Sequence, residues 1–148
     1  IKHIGFSAHN EAVALKAMEL FEFDTILYPF NCACWNNGNF GPAVYQEAKR
    51  QEMGLLALKA IAKTRIPTGK DAPYPNMWYI PYTEEEEIDQ CLKFTLSKDI
   101  TATVHAGDSL FMKRTLKWVH SNKEMHEPDP VKIQAMIEGV TPIFSHPS

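Results

Sequence analysis

The residues of this chain that could do chemistry stand singly, so their spacing has to be read one group at a time. Cys32-Ala33-Cys34 has the spacing of a metal or redox pair, but no second pair and no neighbouring histidine completes a zinc set, and no metal centre is expected. His3, His120, His126 and His146 lack a carboxylate or nucleophile at a recognisable spacing, which points to surface or satisfied-core roles. Ser7 closes an apolar run and His9 follows it; from the residues alone Ser7 is an ordinary strand-end hydroxyl, and His9 is divided evenly between surface residue and ligand. Lys59 follows Leu58 at the end of another apolar run, and an ammonium is rarely buried without a partner. His105-Ala106-Gly107-Asp108-Ser109 leads into a helical pattern. Backbone N–H groups at a helix start attract anions and Gly107 permits close backbone approach, whereas Asp108 would oppose a phosphate. Trp35 and Trp78 sit in strand-end segments and either line a pocket or simply pack there.

These groups are carried by four strand-then-helix units. The first strand is Ile1 to Ser7. Asn10 caps a helix whose apolar stripe is Val13, Ala17, Leu20 and Phe21. Asp24 to Phe30 is a nearly unbroken apolar strand, the pattern of a strand covered on both faces, and Pro29 marks its end. The turn formers Asn36, Asn37, Gly38 and Asn39 predict a long exposed loop over Asn31 to Gly41, and Pro42 then opens a helix burying Val44 and Ala48. A third strand runs from Leu55 to Ala60. Five prolines and glycines between Ile61 and Tyr82 rule out one regular element there, and a loop of that length is often functional. Thr83 with Glu86 predicts a capping box for a helix with the stripe Ile88, Cys91, Leu92 and Leu96, so the carboxylates Glu84 to Glu87 read as a favourable helix start and not as a binding site. Ile100 to Val104 is the fourth strand, and Asp108 caps a helix with Phe111, Met112, Thr115, Leu116 and Val119 on one stripe. Residues 122–148 form a carboxy-terminal extension with a short helix through Val131, Ile133 and Ile137. Strands alternating with helices predict a parallel α/β sheet with its ligand sites at the strands' carboxyl ends.

A net charge of −3, with no basic stripe that could follow a phosphate backbone, argues against nucleic acid as a partner. No apolar run approaches a membrane span and the first residues lack a signal-peptide pattern, so no membrane association is expected and the cytoplasm is the default location. Three cysteines, one of them in a helical pattern, fit a reducing compartment better than a disulfide framework.

The segments Ile4-Gly5-Phe6-Ser7, Phe23-Asp24-Thr25-Ile26-Leu27, Gly41-Pro42, Met53-Gly54-Leu55-Leu56-Ala57-Leu58-Lys59-Ala60 and Thr101-Ala102-Thr103-Val104, in this order and spacing, resemble the carboxy-terminal half of an aldo/keto reductase of a divergent bacterial branch. The resemblance covers residues 1 to about 121. It implies half of a (βα)8 TIM barrel, four parallel strands each followed by a helix, from an enzyme that reduces an aldehyde or ketone with NADP or NAD as cofactor. It implies that Ser7 holds the nicotinamide carboxamide with His9 beside it, that Leu58 packs on the nicotinamide ring, that Lys59 serves the pyrophosphate, and that Gly107, Asp108, Ser109 and Lys113 lie at the adenosine phosphate. Trp35 and Trp78 would then line the site of a small carbonyl substrate. The sequence departs from the family at Ala8, where an Asn is usual, and at Leu27, where many members carry Gln. None of the family's catalytic Asp, Tyr, Lys and His falls within this chain, because those residues precede the matching segment. The resemblance therefore implies a missing amino-terminal half-barrel, and a lone half is expected to expose apolar interior and self-associate. Two rivals remain: a non-catalytic, barrel-derived module that binds a ligand or protein, and a flavodoxin-like binder, which the lack of a glycine-rich loop after the first strand disfavours.

Overall fold

A computed structural model describes residues 1–122 and 126–146. The elements in chain order are β1 (Gly5–Ser7), α1 (Glu11–Leu20), β2 (Thr25–Pro29), α2 (Cys32–Asn36), α3 (Pro42–Arg50), β3 (Gly54–Leu58), β4 (Ala62–Arg65), β5 (Tyr79–Pro81), α4 (Glu85–Leu96), β6 (Ala102–Thr103), α5 (Ser109–Ser121) and α6 (Pro130–Ile137). Strands β1, β2, β3 and β6 form a parallel sheet in that order, so each crossover steps the same way. Right-handed crossovers that never reverse direction stack their helices on one face, whereas a doubly wound flavodoxin-like sheet must reverse. The fold is thus α/β with an unclosed, barrel-type sheet.

The register separates the two faces. Phe6, Ile26 and Leu55 stand side by side, as do Tyr28, Ala57 and Thr103; Ile26, Tyr28, Leu55 and Ala57 are buried beneath the helices. Ser7, Leu27, Leu56 and Ala102 share the opposite row, with Leu58 two residues along, and this face is half-buried to exposed. Among the described residues each edge strand has one partner, so the face that a closed barrel would turn inward is left open by them.

Several local expectations are corrected. Asn31 to Gly41 is not an exposed loop: the Asn31 side chain accepts from the Cys34 N–H at 2.9 Å and caps the short helix α2, whose Cys32, Ala33 and Cys34 are buried. The apolar stripe of α1 faces away from the core, with Val13 61% and Leu20 73% exposed, because Ala14 and Met18 on the adjacent stripe supply the contacts. Helix α5 repeats this at the other edge, burying Phe111 while Leu116 and Val119 stay exposed. Both edge helices therefore carry an apolar stripe suited to a neighbouring helix that the described residues do not provide. The capping box of α4 lies one residue later than predicted, with Glu84 and Glu87 in reciprocal contact with backbone N–H groups. The proline-rich stretch is anchored by an antiparallel ribbon, β4 with β5. In the extension, α6 buries Ile133 and Ile137, but Val131 is exposed; residues 123–125 and 147–148 lie outside the described residues.

Candidate functional site at the carboxyl ends of the strands

β1 delivers Ser7 and, just beyond it, His9 to the carboxyl end of the sheet. β3 ends at Leu58, and Lys59 turns the chain into β4: its carbonyl accepts from the Ala62 N–H at 2.9 Å and its φ is +58°. Left-handed backbone is unfavourable for a non-glycine residue by about 1 kcal/mol, so the fold holds this lysine in place against a local preference. The Lys59 ammonium donates to His9 Nε2 at 2.8 Å, which leaves the imidazole proton on Nδ1. It also lies 5.4 Å from the Trp78 ring and 5.9 Å from the Phe144 ring. Burial pulls the Lys59 pKa below the ordinary lysine value, against the attraction of the Cys34 sulfur. Burial, and then the charge of Lys59, pull His9 below the ordinary imidazole value. The result is a pair of nitrogen bases at the strand ends, partly dehydrated and walled by two aromatic rings.

The second wall is the carboxy-terminal tail. Asn37 Nδ2 donates to the carbonyls of Ile137 and Val140 at 2.6 and 3.0 Å, and Arg65 Nε donates to the Ile143 carbonyl at 2.9 Å. His146 N–H donates to the Gly38 carbonyl at 2.7 Å. A Cβ on Gly38 would lie 2.5 Å from the Phe144 carbonyl oxygen, so glycine is needed for the tail to cross there. The buried Glu11 fixes the end of the tail: one carboxylate oxygen accepts from the Gly41 N–H at 2.9 Å and the other from His146 Nδ1 at 2.5 Å. Between tail and sheet lies a cavity of about 180 Å³ lined by His9, Asn10, Glu11, Phe40, Arg65 and Phe144. Phe144 continues a row of touching rings, Trp35, Phe30, Tyr28, Phe40, Phe144 and Trp78, with centroid separations of 5.1 to 6.4 Å.

Of the residues singled out in the sequence, the structure gathers Ser7, His9, Leu58, Lys59 and Trp78 at this end of the sheet. Ser7 and Leu58 lie on the open face. Trp35 belongs to a different surrounding, packed against Tyr45 and Phe94 with the Lys98 ammonium 4.2 Å above it. Gly107, Asp108 and Ser109 stand one strand further over. The space a Gly107 side chain would fill lies 2.7 Å from the Asn76 carbonyl oxygen, and the Asp108 carboxylate takes the Leu110 N–H at 2.9 Å. Lys113 is exposed on α5. Two of the four histidines read as lacking a carboxylate have one each across the fold: His3 Nδ1 meets Asp24 at 3.0 Å, and His146 meets Glu11. Glu11, Arg65, Phe144 and His146 were not legible as site residues, although the apolar Ile143-Phe144 pair inside a polar tail is a docking signal. Among the described residues no cluster of three or more His, Cys, Asp and Glu could hold a metal, and no helix is long and apolar enough to cross a membrane. A cleft of about 890 Å³ opens at the far ends of α1 and α3, between Leu20 to Phe23 and Arg50, away from the strands' carboxyl ends.

No family model and no curated protein matches the chain. Among solved structures it is similar to the aldo-keto reductase AKR11C1 from Bacillus halodurans in its holo form, at 11% sequence identity and a TM-score of 0.52, over 99% of this chain and 52% of that one. The chain thus spans about half the length of the structure it matches, and at this identity the likeness is one of fold: a sheet and helix layer of the TIM-barrel kind.

Proposed function

We propose that this chain is the cofactor-binding half of a nicotinamide-dependent oxidoreductase that reduces an aldehyde or ketone, with NADP or NAD lying across the open carboxyl end of the sheet. The observation that carries the reading is the Lys59–His9 pair, held beside Ser7 at the carboxyl ends of parallel strands in chain order. Ligands of open parallel sheets bind at that end. The residues present fit part of such a cofactor. Ser7 offers a hydroxyl to a carboxamide, Leu58 an apolar surface to one ring face, and Lys59 positive charge to a pyrophosphate. When bound, the cofactor would supply hydride; the chain's own part is to bind and orient it. They do not fit an adenosine phosphate at the start of α5, where the Asn76 carbonyl and the Asp108 carboxylate present acceptors in place of donors. The cavity behind the tail is also smaller than the roughly 300 to 1,000 Å³ of usual ligand pockets, so the cofactor belongs on the open face. That face, the two free strand edges and the apolar stripes of α1 and α5 are covered in this reading by an amino-terminal half-barrel that supplies the acid catalyst.

A non-catalytic binder is the second reading, favoured by Leu27 on the open face and by the tail across the strand ends. Titration with NADPH and NADH, followed by tryptophan emission, separates the two. Saturable quenching that weakens about tenfold in Lys59→Ala, with unchanged circular dichroism, supports the oxidoreductase. No saturable response from a folded chain joined to its amino-terminal half favours the binder.

A further inference from the structure

We propose that Cys32 and Cys91 form a reversible dithiol–disulfide pair, an oxidation site that staples α2 to α4. The two sulfurs lie 3.7 Å apart, brought together from positions 59 residues apart in sequence, and both residues are fully buried. A disulfide needs about 2.05 Å between sulfurs, so closure brings the two sulfurs nearer by about 1.7 Å. The partner is therefore not the one suggested by Cys32-Ala33-Cys34. Residues two apart in a helix point to different sides, and the Cys34 sulfur instead faces the tail backbone at Phe144 and Ile143.

The two thiols lie in different surroundings. Cys32 occupies the first position of α2, immediately after its cap Asn31, and its sulfur shares an S–H···S hydrogen bond with that of Cys91. That bond, aided by backbone N–H groups, lowers the Cys32 pKa against the opposing effect of burial, while burial raises Cys91. With hydrogen peroxide as oxidant, the Cys32 thiolate attacks one peroxide oxygen, the O–O bond breaks, and a sulfenic acid forms while the released hydroxide takes a proton to become water. The Cys91 sulfur then attacks Cys32 Sγ, the S–O bond breaks, and the departing hydroxide takes the Cys91 proton as a second water. Two thiols have been oxidised to one disulfide and one peroxide reduced to two waters. The staple joins α4 to the segment whose Asn37 and Gly38 grip the tail, so oxidation reinforces one anchor of the site wall.

The test is oxidation of the reduced, folded 148-residue chain with a small excess of hydrogen peroxide, quenching with an alkylating agent in denaturant so that every remaining thiol is exposed, and mass spectrometry of the intact chain and its peptides. The expected product has lost two hydrogen masses, keeps one alkylatable thiol, and yields a peptide linking the Cys32 and Cys91 segments. Cys34→Ala should oxidise like the parent, and Cys91→Ala should stop at a dimedone-reactive sulfenic acid on Cys32. A folded chain that keeps three alkylatable thiols, or a link placed by fragment ions between Cys32 and Cys34, overturns the assignment. The linked peptide from the unmodified chain decides the matter even if Cys91→Ala fails to fold.

Discussion

Glu11 is the residue on which the tail's attachment turns, and removing it should be among the most damaging single changes outside the apolar core. Its side chain is 4% exposed and holds two donors, the Gly41 N–H and the His146 imidazole. Glu11→Ala removes two hydrogen bonds to a charged acceptor and strands the buried Gly41 N–H. Hydrogen bonds to charged groups contribute roughly 1.5 to 3 kcal/mol each, and a stranded buried donor costs about 1 to 3 kcal/mol. Allowing for overlap between these terms, a loss of about 3 kcal/mol is expected, or ~10 °C in melting temperature for a chain of this size. His146→Ala removes only the exposed partner, 53% accessible, and should lose about 1 kcal/mol or less. Glu11→Gln keeps an acceptor for Gly41 and should fall between the two. Calorimetric melts of the three variants and the Glu11→Ala/His146→Ala double variant measure the coupling, expected to be about 1 kcal/mol. A Glu11→Ala melt within about 2 °C of the parent, or equal losses in the two alanine variants, would refute the account of Glu11 as the buried anchor.

Three further outcomes follow from single observations. Reductive methylation with carbon-13 and NMR titration should find Lys59 below the ordinary lysine value and Lys132, raised by Glu86, above it. Because the unfolded chain holds the Lys59 proton up to about pH 10.4, stability should rise with pH between the depressed folded value and that limit, and Lys59→Met should flatten the rise. Tyr28 carries a buried hydroxyl with no hydrogen-bond partner among the described residues, so Tyr28→Phe should leave stability unchanged or raise it by about 1 kcal/mol; a loss above that in denaturant titration would mean the hydroxyl is satisfied. Asp24 is held below the usual carboxylate range first by the His3 ring and then by the Ile4 N–H. Its contribution is complete above the unfolded value near 3.9 and is lost as pH falls through the lower folded one, so Asp24→Asn should flatten the acid limb of a melting temperature against pH curve.

The alternation of elements was legible because local signals agreed with the fold: the Asn10 cap, the apolar run of β2 and Pro42 at the start of α3 all fall where the residues place them. What failed was orientation. Val13 and Leu20 match a helical stripe as well as Ala14 and Met18 do, and a helix at a sheet edge can use either; only the position of β2 and α3 decides. The segment after Asn31 reads as a loop because turn formers and helix caps are the same residue types, and the burial of Cys32 depends on α4 and that of Cys34 on the tail, both far along the chain. In the site, Ser7, His9 and Lys59 were visible as polar residues closing apolar runs. Glu11 and His146 were not, since a carboxylate in a helix's first turn and an imidazole in a proline-bearing tail each have an ordinary local explanation, and their meeting spans 135 positions.

The row of rings from Trp35 to Trp78 gives the molecule an internal optical gauge. Aromatic rings 5.1 to 6.4 Å apart lie within packing distance of one another, so each is part of its neighbour's asymmetric surroundings, and Phe144 is the link through which the row reaches Trp78. Lifting the tail would break the row at that link alone and leave Trp35, Phe30, Tyr28 and Phe40 in register. Near-ultraviolet dichroism can therefore follow undocking of the tail without an attached dye, and distinguish it from loss of the sheet beneath.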